Sequence, residues 1–507
     1  MAAATSQSTV NSFASNLNNG MDLAHPSDLL PEGAVTKLIP TLLIAIFACL
    51  IFPGVLRHLI KLGAWLRRGR ICIGGLYWRP EEFAAGWLIT GGIGTGKTLS
   101  GFTRLLYEVF RCEPDWGGLV IDDKGHFHQT ILEMARHFGR EKDILLLRVS
   151  ESPDRKPSHR FNLTGNRAIP FLTYGRMVVD TGVAMGQRQD QTFFRTQVRD
   201  QIAAALETLH LLHCEVTLEN AYHLLLDIGE LTRSVDDLRR LAIPAAERLA
   251  IHFEEHYLKQ PGEQLGGVQG SISNYLSGFL DPALAEVFFR DSTFSFDDLD
   301  RGKIICLALP QKFAVQRRYL CTFLKQLFYF HALSRYDQSA AERAGHNLLV
   351  LWADEAQHFV TDSEDGLSDY NAIDRIREAR ATAVLCTQSI NSFLPPLQRD
   401  KAEVLRLNLR NRIFFQAATE ADAQEAADFL GKRLRQKVTR SYGQRGANRS
   451  YVEEEIHRLK PHRFRLLRPH QCVVVRADKR FRRCVLPPIE PDGRVSRWFP
   501  WWRRGLA

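Results

Sequence analysis

The segment GGIGTGKTLS, from Gly91 to Ser100, indicates the fold class most strongly. Its spacing is G-x-x-x-x-G-K-[ST]: glycines let backbone N–H groups surround a β-phosphate, the lysine adds a charge between the β- and γ-phosphates, and the hydroxyl is a ligand for Mg²⁺. The segment AAGWLIT before it predicts a buried strand, and TLSGFTRLLYEVFR after it has helical apolar spacing. The sequence therefore predicts a nucleotide-binding loop at a helix N-terminus. The predicted binding residues are Gly91, Gly92, Ile93, Gly94, Thr95, Gly96, Lys97, Thr98 and Leu99.

A second stretch, NLLVLWADEAQHF, supplies a pair of acids. Its apolar run from Leu348 to Trp352 predicts a strand buried on both faces, as in a parallel sheet. Asp354 and Glu355 follow at the carboxyl end of that strand, where open α/β sheets bind ligands. Adjacent acids are often only solvated, but beside a phosphate-binding loop we favour catalysis. We expect Asp354 to bind Mg²⁺ together with Thr98, and Glu355 to polarise the attacking water.

Four more apolar runs have the length of strands. They are GGLVIDDKGHF, which ends in Asp122, Asp123 and Lys124, and then DILLLRV, GKIICLALP and TAVLCTQS. Gln388 ends the last of these runs, where its amide can reach the γ-phosphate or the water; the alternative is an ordinary polar residue at a strand end. Helical patterns separate several of the runs, which predicts an α/β fold with a doubly wound parallel sheet.

The domain boundaries follow changes in this pattern. Residues 171–299 show only helical spacing, which predicts an all-α domain inserted into the α/β core. The nucleotide-binding domain then has a first part at 57–170 and a second part at 300–490. A short external tail at 1–37 and a basic, aromatic tail at 491–507 complete the predicted organisation.

The segment at 38–56, LIPTLLIAIFACLIFPGVL, carries no charge and is long enough to cross a hydrocarbon core as a helix. Lysine and arginine are absent from residues 1–36 but frequent from Arg57 to Arg70, so the positive-inside rule places the body of the chain in the cytoplasm. Nine cysteines without a C-x-x-C pair fit that reducing compartment. The sequence predicts a single-pass protein of the bacterial inner membrane. A net charge of +9 suits a polyanionic partner without proving one.

Together these motifs resemble, in their order, the coupling-protein ATPases of type IV secretion and conjugation systems. The resemblance spans roughly residues 70–430 and rests on ICIGG, the phosphate-binding loop, VIDDKG, the helical insertion, IICLALP, WADEAQHF and LCTQS. It differs from the family pattern at His126, which replaces the usual acid, and in having one predicted membrane helix where many members have two.

The resemblance implies a RecA-like P-loop NTPase that binds ATP and Mg²⁺, works as a homo-hexamer, and passes single-stranded DNA with its attached relaxase to the channel components of a type IV secretion system. It also implies that Lys97, Asp354 and Glu355 act in hydrolysis and that Gln388 senses the nucleotide. Ring ATPases complete the site with an arginine from the next subunit. Arg377 and Arg380, just before the TAVLCTQS run, are the expected candidates.

A basic stretch from Gly431 to Ser450 holds seven Lys and Arg residues, no acid, and Tyr442. Positive charge with an aromatic ring is the combination that binds single strands without sequence preference, although a solvated loop is an equal alternative. The C-terminal RWFPWWRR leaves membrane-interface contact, partner docking and disorder all open.

The sequence thus favours a membrane-anchored translocase of the conjugation type. The alternatives are a septal or repair-type DNA pump, a protein-only type IV secretion ATPase, and a membrane receptor whose nucleotide site is a switch. The acid pair argues against the switch, because a switch needs a metal ligand but no efficient base.

Overall fold

The computed structural model describes residues 70–149, 157, 159–187, 192–363, 367–443 and 446–499. The predicted external tail and membrane helix at 1–37 and 38–56 lie outside these residues, as does the end of the C-terminal tail. Within the described ranges, every helix is too short or too polar to cross a bilayer.

The centre of the fold is a nine-stranded sheet. The strands of the described chain are β1 (Ile71–Ile73), β2 (Leu76–Trp78), β3 (Trp87–Thr90), β4 (Gly117–Asp122), β5 (Ile144–Arg148), β6 (Ile304–Ala308), β7 (Leu349–Asp354), β8 (Ala381–Thr387), β9 (Asn411–Phe414), β10 (Lys432–Gly443), β11 (Gly446–His457), β12 (Gln471–Val475) and β13 (Phe481–Val485). The order in the nine-stranded sheet is β13-β12-β9-β3-β8-β7-β4-β6-β5, while β1 pairs with β2 and β10 with β11 in two small sheets. The seven strands from β9 to β5 run parallel, whereas β12 and β13 are antiparallel additions on one side. The prediction of an α/β fold built on a parallel sheet is confirmed.

Helices cover both faces of the sheet and form the region between β5 and β6. They are α1 (Pro80–Phe83), α2 (Thr103–Cys112), α3 (Phe127–His137), α4 (Phe171–Ala184), α5 (Thr192–Leu211), α6 (Leu218–Leu226), α7 (Ile228–Arg240), α8 (Pro244–Phe253), α9 (Gly262–Leu276), α10 (Ala285–Phe288), α11 (Ala314–Ser334), α12 (Ala340–Gly345), α13 (Asp369–Arg375), α14 (Leu394–Asn408), α15 (Glu420–Leu430) and α16 (Pro461–Arg465). A π-helical turn, Lys97–Phe102, leads directly into α2.

Alternate residues of the central strands enter two separate hydrophobic cores. In β7, Leu351 packs with the core on the side of the helical region, whereas Val350 and Trp352 pack with the core that holds α2 and α3. Burial on both faces explains why these strands are continuous apolar runs in the sequence. Because β3, β8, β7 and β4 are parallel neighbours, their carboxyl ends lie side by side. They form one edge of the sheet, the one made by strand ends.

The described elements from α4 to α10 are helices that share one hydrophobic core with the sheet face beneath them. The buried helix α11 joins this region to the sheet through polar side chains. Gln326 donates to the backbone oxygen of Met177 at 3.1 Å and to Thr181 at 2.9 Å, both on α4. Lys325 donates to the backbone oxygen of Phe359, after β7, at 2.5 Å. The helix therefore links the helical region to the loop that follows the acid pair.

Candidate functional site

The predicted nucleotide-binding loop lies between β3 and the turn that leads into α2. Its glycines Gly94 and Gly96 have φ angles of +75° and +99°, a left-handed conformation that other residues rarely adopt. Residues from Gly91 to Leu99 thus form a turn with the helix N-terminus behind it, the arrangement that binds phosphate through backbone N–H groups.

Thr98 and Asp354, which are far apart in sequence, meet at this edge. The hydroxyl of Thr98 lies 3.2 Å from Oδ2 of Asp354, because β3 and β7 flank β8 on its two sides. Asp354 is only 2% exposed. Burial raises the pKa of the Asp354 carboxyl, and the charges of Glu355 and Asp122 raise it further. The pair thus offers oxygen ligands at a point where a divalent cation would stabilise the ionised carboxylate.

Glu355 lies between two lysines. Its Oε1 atom is 3.5 Å from Nζ of Lys97 and 3.7 Å from Nζ of Lys124. Gln357 and Gln388 donate to its carboxylate at 3.0 Å and 3.3 Å. Burial acts to raise the pKa of Glu355, but these hydrogen bonds and charges outweigh burial and lower it. The carboxylate is therefore ionised near neutral pH and held in place, as a base that orients water must be.

The backbone of Glu355 has a φ angle of +51°, which is unusual for a residue with a side chain. This conformation ends β7 and turns the Glu355 side chain toward Lys97, while the preceding Asp354 faces Thr98. The two adjacent acids thus point to different partners.

The structure brings Lys97, Thr98, Asp354, Glu355 and Gln388 together, but not the two predicted arginines. Arg377 and Arg380 precede β8, at the amino end of the strand that has Gln388 beyond its carboxyl end. Eight residues of extended chain separate Arg380 from Gln388 by roughly 25 Å. Arg380 donates to the backbone oxygen of Ala344 at 3.0 Å. Within one subunit these arginines cannot reach the phosphates, so their role remains a prediction about a neighbouring subunit.

In the sequence, Lys124 is recognisable as a strand-end residue but not as part of the site, and Gln357 does not stand out. Lys124 follows β4, the neighbour of β7, and its own neighbour Asp123 is held by Arg318 of α11 with Nε to Oδ1 at 2.6 Å. Because the carboxyl ends of neighbouring parallel strands meet at one edge of the sheet, the position of Lys124 after β4 is the signal that could have placed it in the site. Gln357 lies in the turn after the acid pair, and the sequence carries no signal for it.

A third residue that the sequence did not indicate is His470, just before β12. Its backbone N–H donates to the carbonyl of Thr95 at 2.8 Å, and its Nδ1 atom lies 2.7 Å from the hydroxyl of Ser100. A Cβ atom at Gly96 would lie 2.7 Å from the same Nδ1 atom, so the imidazole fills the space that this glycine leaves. The phosphate-binding loop is therefore supported from outside by the C-terminal part of the chain.

The basic stretch forms a hairpin of two antiparallel strands. β10 and β11 are each twelve residues long and pair from Lys432↔His457 to Gly443↔Gly446. Arg433, Arg435 and Lys437 are exposed and alternate along one face of β10. Tyr451 is exposed on the opposite face, whereas the side chain of Tyr442 is outside the described residues.

Comparisons by sequence find no protein-family model and no curated protein that match the chain. Comparison by structure finds proteins of similar fold. The unbound monoclinic form of the bacterial conjugative coupling protein TrwBdeltaN70 superposes with a TM-score of 0.63 at 14% identity, covering 86% of this chain and 91% of the other. The plasmid coupling protein TrwB in complex with the ATP analogue ADPNP gives a TM-score of 0.60 at 15% identity, with the same coverage of 86% and 91%.

TrwB in complex with ADP and Mg²⁺ gives a TM-score of 0.58 at 14% identity, again covering 86% of this chain and 91% of the other. Because the match covers 86% of this chain, it extends beyond the sheet into the helical region. At the level of the fold, it confirms the resemblance drawn from the sequence.

Proposed function

We propose that this chain, which has the fold of the conjugative coupling protein TrwB, is a membrane-anchored, ATP-driven translocase that delivers single-stranded DNA with its relaxase to a type IV secretion channel. The observation that carries the proposal is the convergence of Lys97, Thr98, Asp354 and Glu355 at one sheet edge, within a fold matched over 86% of the chain. The shared fold supports the transport role, and the side chains support hydrolysis.

The site fits ATP and Mg²⁺. The loop around Gly94 and Gly96 leaves backbone N–H groups for the phosphates, and the Thr98–Asp354 pair supplies oxygen ligands at 3.2 Å from each other. TrwB itself binds ADP with Mg²⁺ and an ATP analogue. When bound, Mg²⁺ would neutralise charge on the β- and γ-phosphates during phosphoryl transfer.

Each residue then has a role that follows from its contacts. Lys97 leaves the carboxylate of Glu355 to bind the β- and γ-phosphates, which frees Glu355 to orient the attacking water. Gln388, hydrogen-bonded to Glu355, keeps that carboxylate in position and can detect whether a γ-phosphate is present. Lys124 remains near Glu355 as a second positive charge on the γ-phosphate side.

The β10–β11 hairpin is the proposed DNA contact. Its basic row of Arg433, Arg435 and Lys437 can follow a phosphate backbone, and Tyr451 on the other face offers a ring for a base. Twelve residues of strand extend about 40 Å, which gives the hairpin the length of several nucleotides of single strand.

The proposal includes a homo-hexamer anchored in the inner membrane by 38–56. Because Arg377 and Arg380 lie at the sheet edge opposite the phosphates, only a neighbouring subunit could bring one of them to the γ-phosphate. Such an arginine typically raises the rate by about 10³–10⁵.

The decisive experiment measures ATP turnover of the purified protein with single-stranded DNA, duplex DNA or no nucleic acid. We expect single-stranded DNA to give the largest stimulation, and Lys97→Ala to abolish turnover in every case. Preferential stimulation by duplex would favour the septal or repair-type pump. Turnover unaffected by either nucleic acid would contradict DNA translocation and favour a protein-only secretion ATPase.

A further inference from the structure

The C-terminal segment of the described chain folds back over the phosphate-binding loop. His470 contacts Thr95, Gly96 and Ser100 of the loop and its helix. Its φ angle is +67°, a conformation that a residue with a side chain rarely adopts unless its surroundings impose it. The imidazole is buried, so it forms a rigid support next to the loop.

Two aromatic rings pack against the imidazole of His470. The rings of Trp498 and Phe499 have their centroids 5.3 Å and 5.4 Å from that of His470. Phe499 is 1% exposed and anchors the segment, with its N–H donating to the backbone oxygen of Ser496 at 3.0 Å. Trp498, in contrast, leaves 58% of its surface exposed. A large apolar ring thus faces solvent beside the phosphate-binding loop.

The sheet order fixes which end of a nucleotide this ring would meet. On one side of β3 lie β8 and β7, which position Gln388 and Glu355 at the γ-phosphate end. On the other side lie β9 and β12, and His470 directly precedes β12 at the same edge of the sheet. A triphosphate with its γ-phosphate between Lys97 and Glu355 therefore directs its nucleoside toward the β12 side, where Trp498 is.

We propose that Trp498 is the stacking platform for the nucleobase of the bound nucleotide, carried on the ring of His470. This inference rests on the proposed nucleotide-binding function and adds to it the residue that holds the base. Stacking on an aromatic face tolerates any base, since every base has a π-face. Trp498 should accordingly strengthen the binding of ATP and GTP to the same extent, and should not affect a ligand that has phosphates but no base.

The test compares ATP, GTP and inorganic tripolyphosphate, each with Mg²⁺, by titration calorimetry on the full-length protein in detergent. We expect Trp498→Ala to weaken ATP and GTP about tenfold or more, and to leave tripolyphosphate affinity unchanged. Trp498→Phe should retain most of the ATP affinity because it keeps an aromatic face. Phe193→Ala on α5, a matched exposed aromatic at 43%, should change none of the three affinities.

Equal weakening of all three ligands by Trp498→Ala would overturn the inference, since it would mean a general disturbance of the loop. Unchanged ATP affinity would overturn it as well. Failure of the proposed function would give a different result: the unaltered protein would bind neither ATP nor tripolyphosphate, and Lys97→Ala would change neither affinity. That result would contradict both the proposed function and the role of Trp498.

Discussion

The Nζ atom of Lys97 lies 3.5 Å from Oε1 of Glu355, so the lysine that we propose binds phosphate and the carboxylate that we propose orients water form an ion pair. In this proposal a γ-phosphate competes with Glu355 for Lys97, so nucleotide binding releases the Glu355 carboxylate. Substituting one of the two residues at a time separates their contributions to binding and to turnover.

We expect Glu355→Gln to bind ATP at least as tightly as the unaltered protein but to lose turnover by about 10²–10⁴. The amide keeps the size of the side chain, loses basicity, and no longer holds Lys97 by charge. Equilibrium binding of ATP and steady-state phosphate release, measured on the same preparation, check both parts. Turnover equal to that of the unaltered protein would remove Glu355 from the role of base.

Lys124→Ala should affect ATP and ADP differently. The ammonium of Lys124 pairs with Glu355, on the proposed γ-phosphate side, so its removal should weaken ATP binding and lower kcat about tenfold while ADP affinity stays constant. Lys97→Ala, by contrast, should weaken both nucleotides because Lys97 also serves the β-phosphate. Lys259→Ala on the helical region is the control. An equal decrease of ATP and ADP affinity in Lys124→Ala would contradict its assignment to the γ-phosphate.

Charge reversal on the hairpin should uncouple DNA from hydrolysis. We expect the double variant Arg433→Glu, Arg435→Glu to keep basal ATP turnover and to lose most of its stimulation by single-stranded DNA. The salt dependence of DNA binding should become shallower by about 0.7 in log–log slope for each phosphate that the variant no longer neutralises. Arg233→Glu on α7 is the matched control. Stimulation that survives in the hairpin variant would place the DNA contact elsewhere.

Specific activity should rise steeply with protein concentration if a neighbour completes the site. Arg380→Ala, or Arg377→Ala if that residue is the one used, should bind ATP normally and fail to hydrolyse it. Mixing the arginine variant with Glu355→Gln should restore some activity, because one kind of interface then holds both an intact base and an intact arginine. Flat specific activity and active arginine variants together would exclude the ring mechanism.

Asp300 provides a test of stability away from the site. Burial acts to raise its pKa, but the hydrogen bond and charge of His331 and the charge of Arg335 lower it to about 2. Because this pKa lies below that of an unfolded aspartate, about 3.9, the ionised carboxylate stabilises the fold above that value, and the stabilisation is lost as pH falls toward 2.

Asp300→Asn should therefore lower the free energy of unfolding by about 2 kcal/mol at neutral pH, since it leaves the buried Arg335 without its carboxylate. Thermal melts at a series of pH values should show that the difference in melting temperature between the variant and the unaltered protein becomes smaller below about pH 4. Asp237→Asn, in an exposed pair with Arg240, should change little at any pH. A difference in melting temperature that stays constant down to about pH 2 would contradict the ion-pair explanation.

The central strands were predictable because the sheet is parallel and buried on both faces. β4, β5, β6, β7 and β8 each correspond to an uninterrupted apolar run. β9 did not stand out, since its four residues include Arg412. The burial of that side chain is compensated by the carboxylate of Glu425, which pairs with it, by the backbone oxygens of Arg406 and Leu409, which accept from it, and by the ring of Phe429, whose centroid lies 3.7 Å from its guanidinium. Such compensation comes from α15 and the end of α14 and cannot be inferred from the strand alone.

The site residues also divide into those that a local sequence pattern predicts and those that depend on distant parts of the chain. The loop and the acid pair are local patterns whose spacing carries the chemistry. His470 reaches Ser100 across 370 positions of sequence, and its contact depends on β12 running antiparallel beside β9. No periodicity or motif encodes that encounter. The sequence likewise indicated the charge of the basic stretch but not its hairpin, because charged strands lack the alternation of polar and apolar residues that identifies a half-buried strand.

The buried contacts of α11 have a mechanical consequence. This helix contacts the turn after β4 through the buried Arg317, which donates to the backbone oxygen of Asp123, the turn after β7 through Lys325, and α4 through Gln326. A buried polar group that leaves its partner finds no water to replace it, so these contacts resist slipping more strongly than apolar packing does. If the chain works as the proposed motor, α11 would transmit movement between these two turns and the helical region as one rigid element. The amplitude of that movement would then depend on the rigidity of the helix.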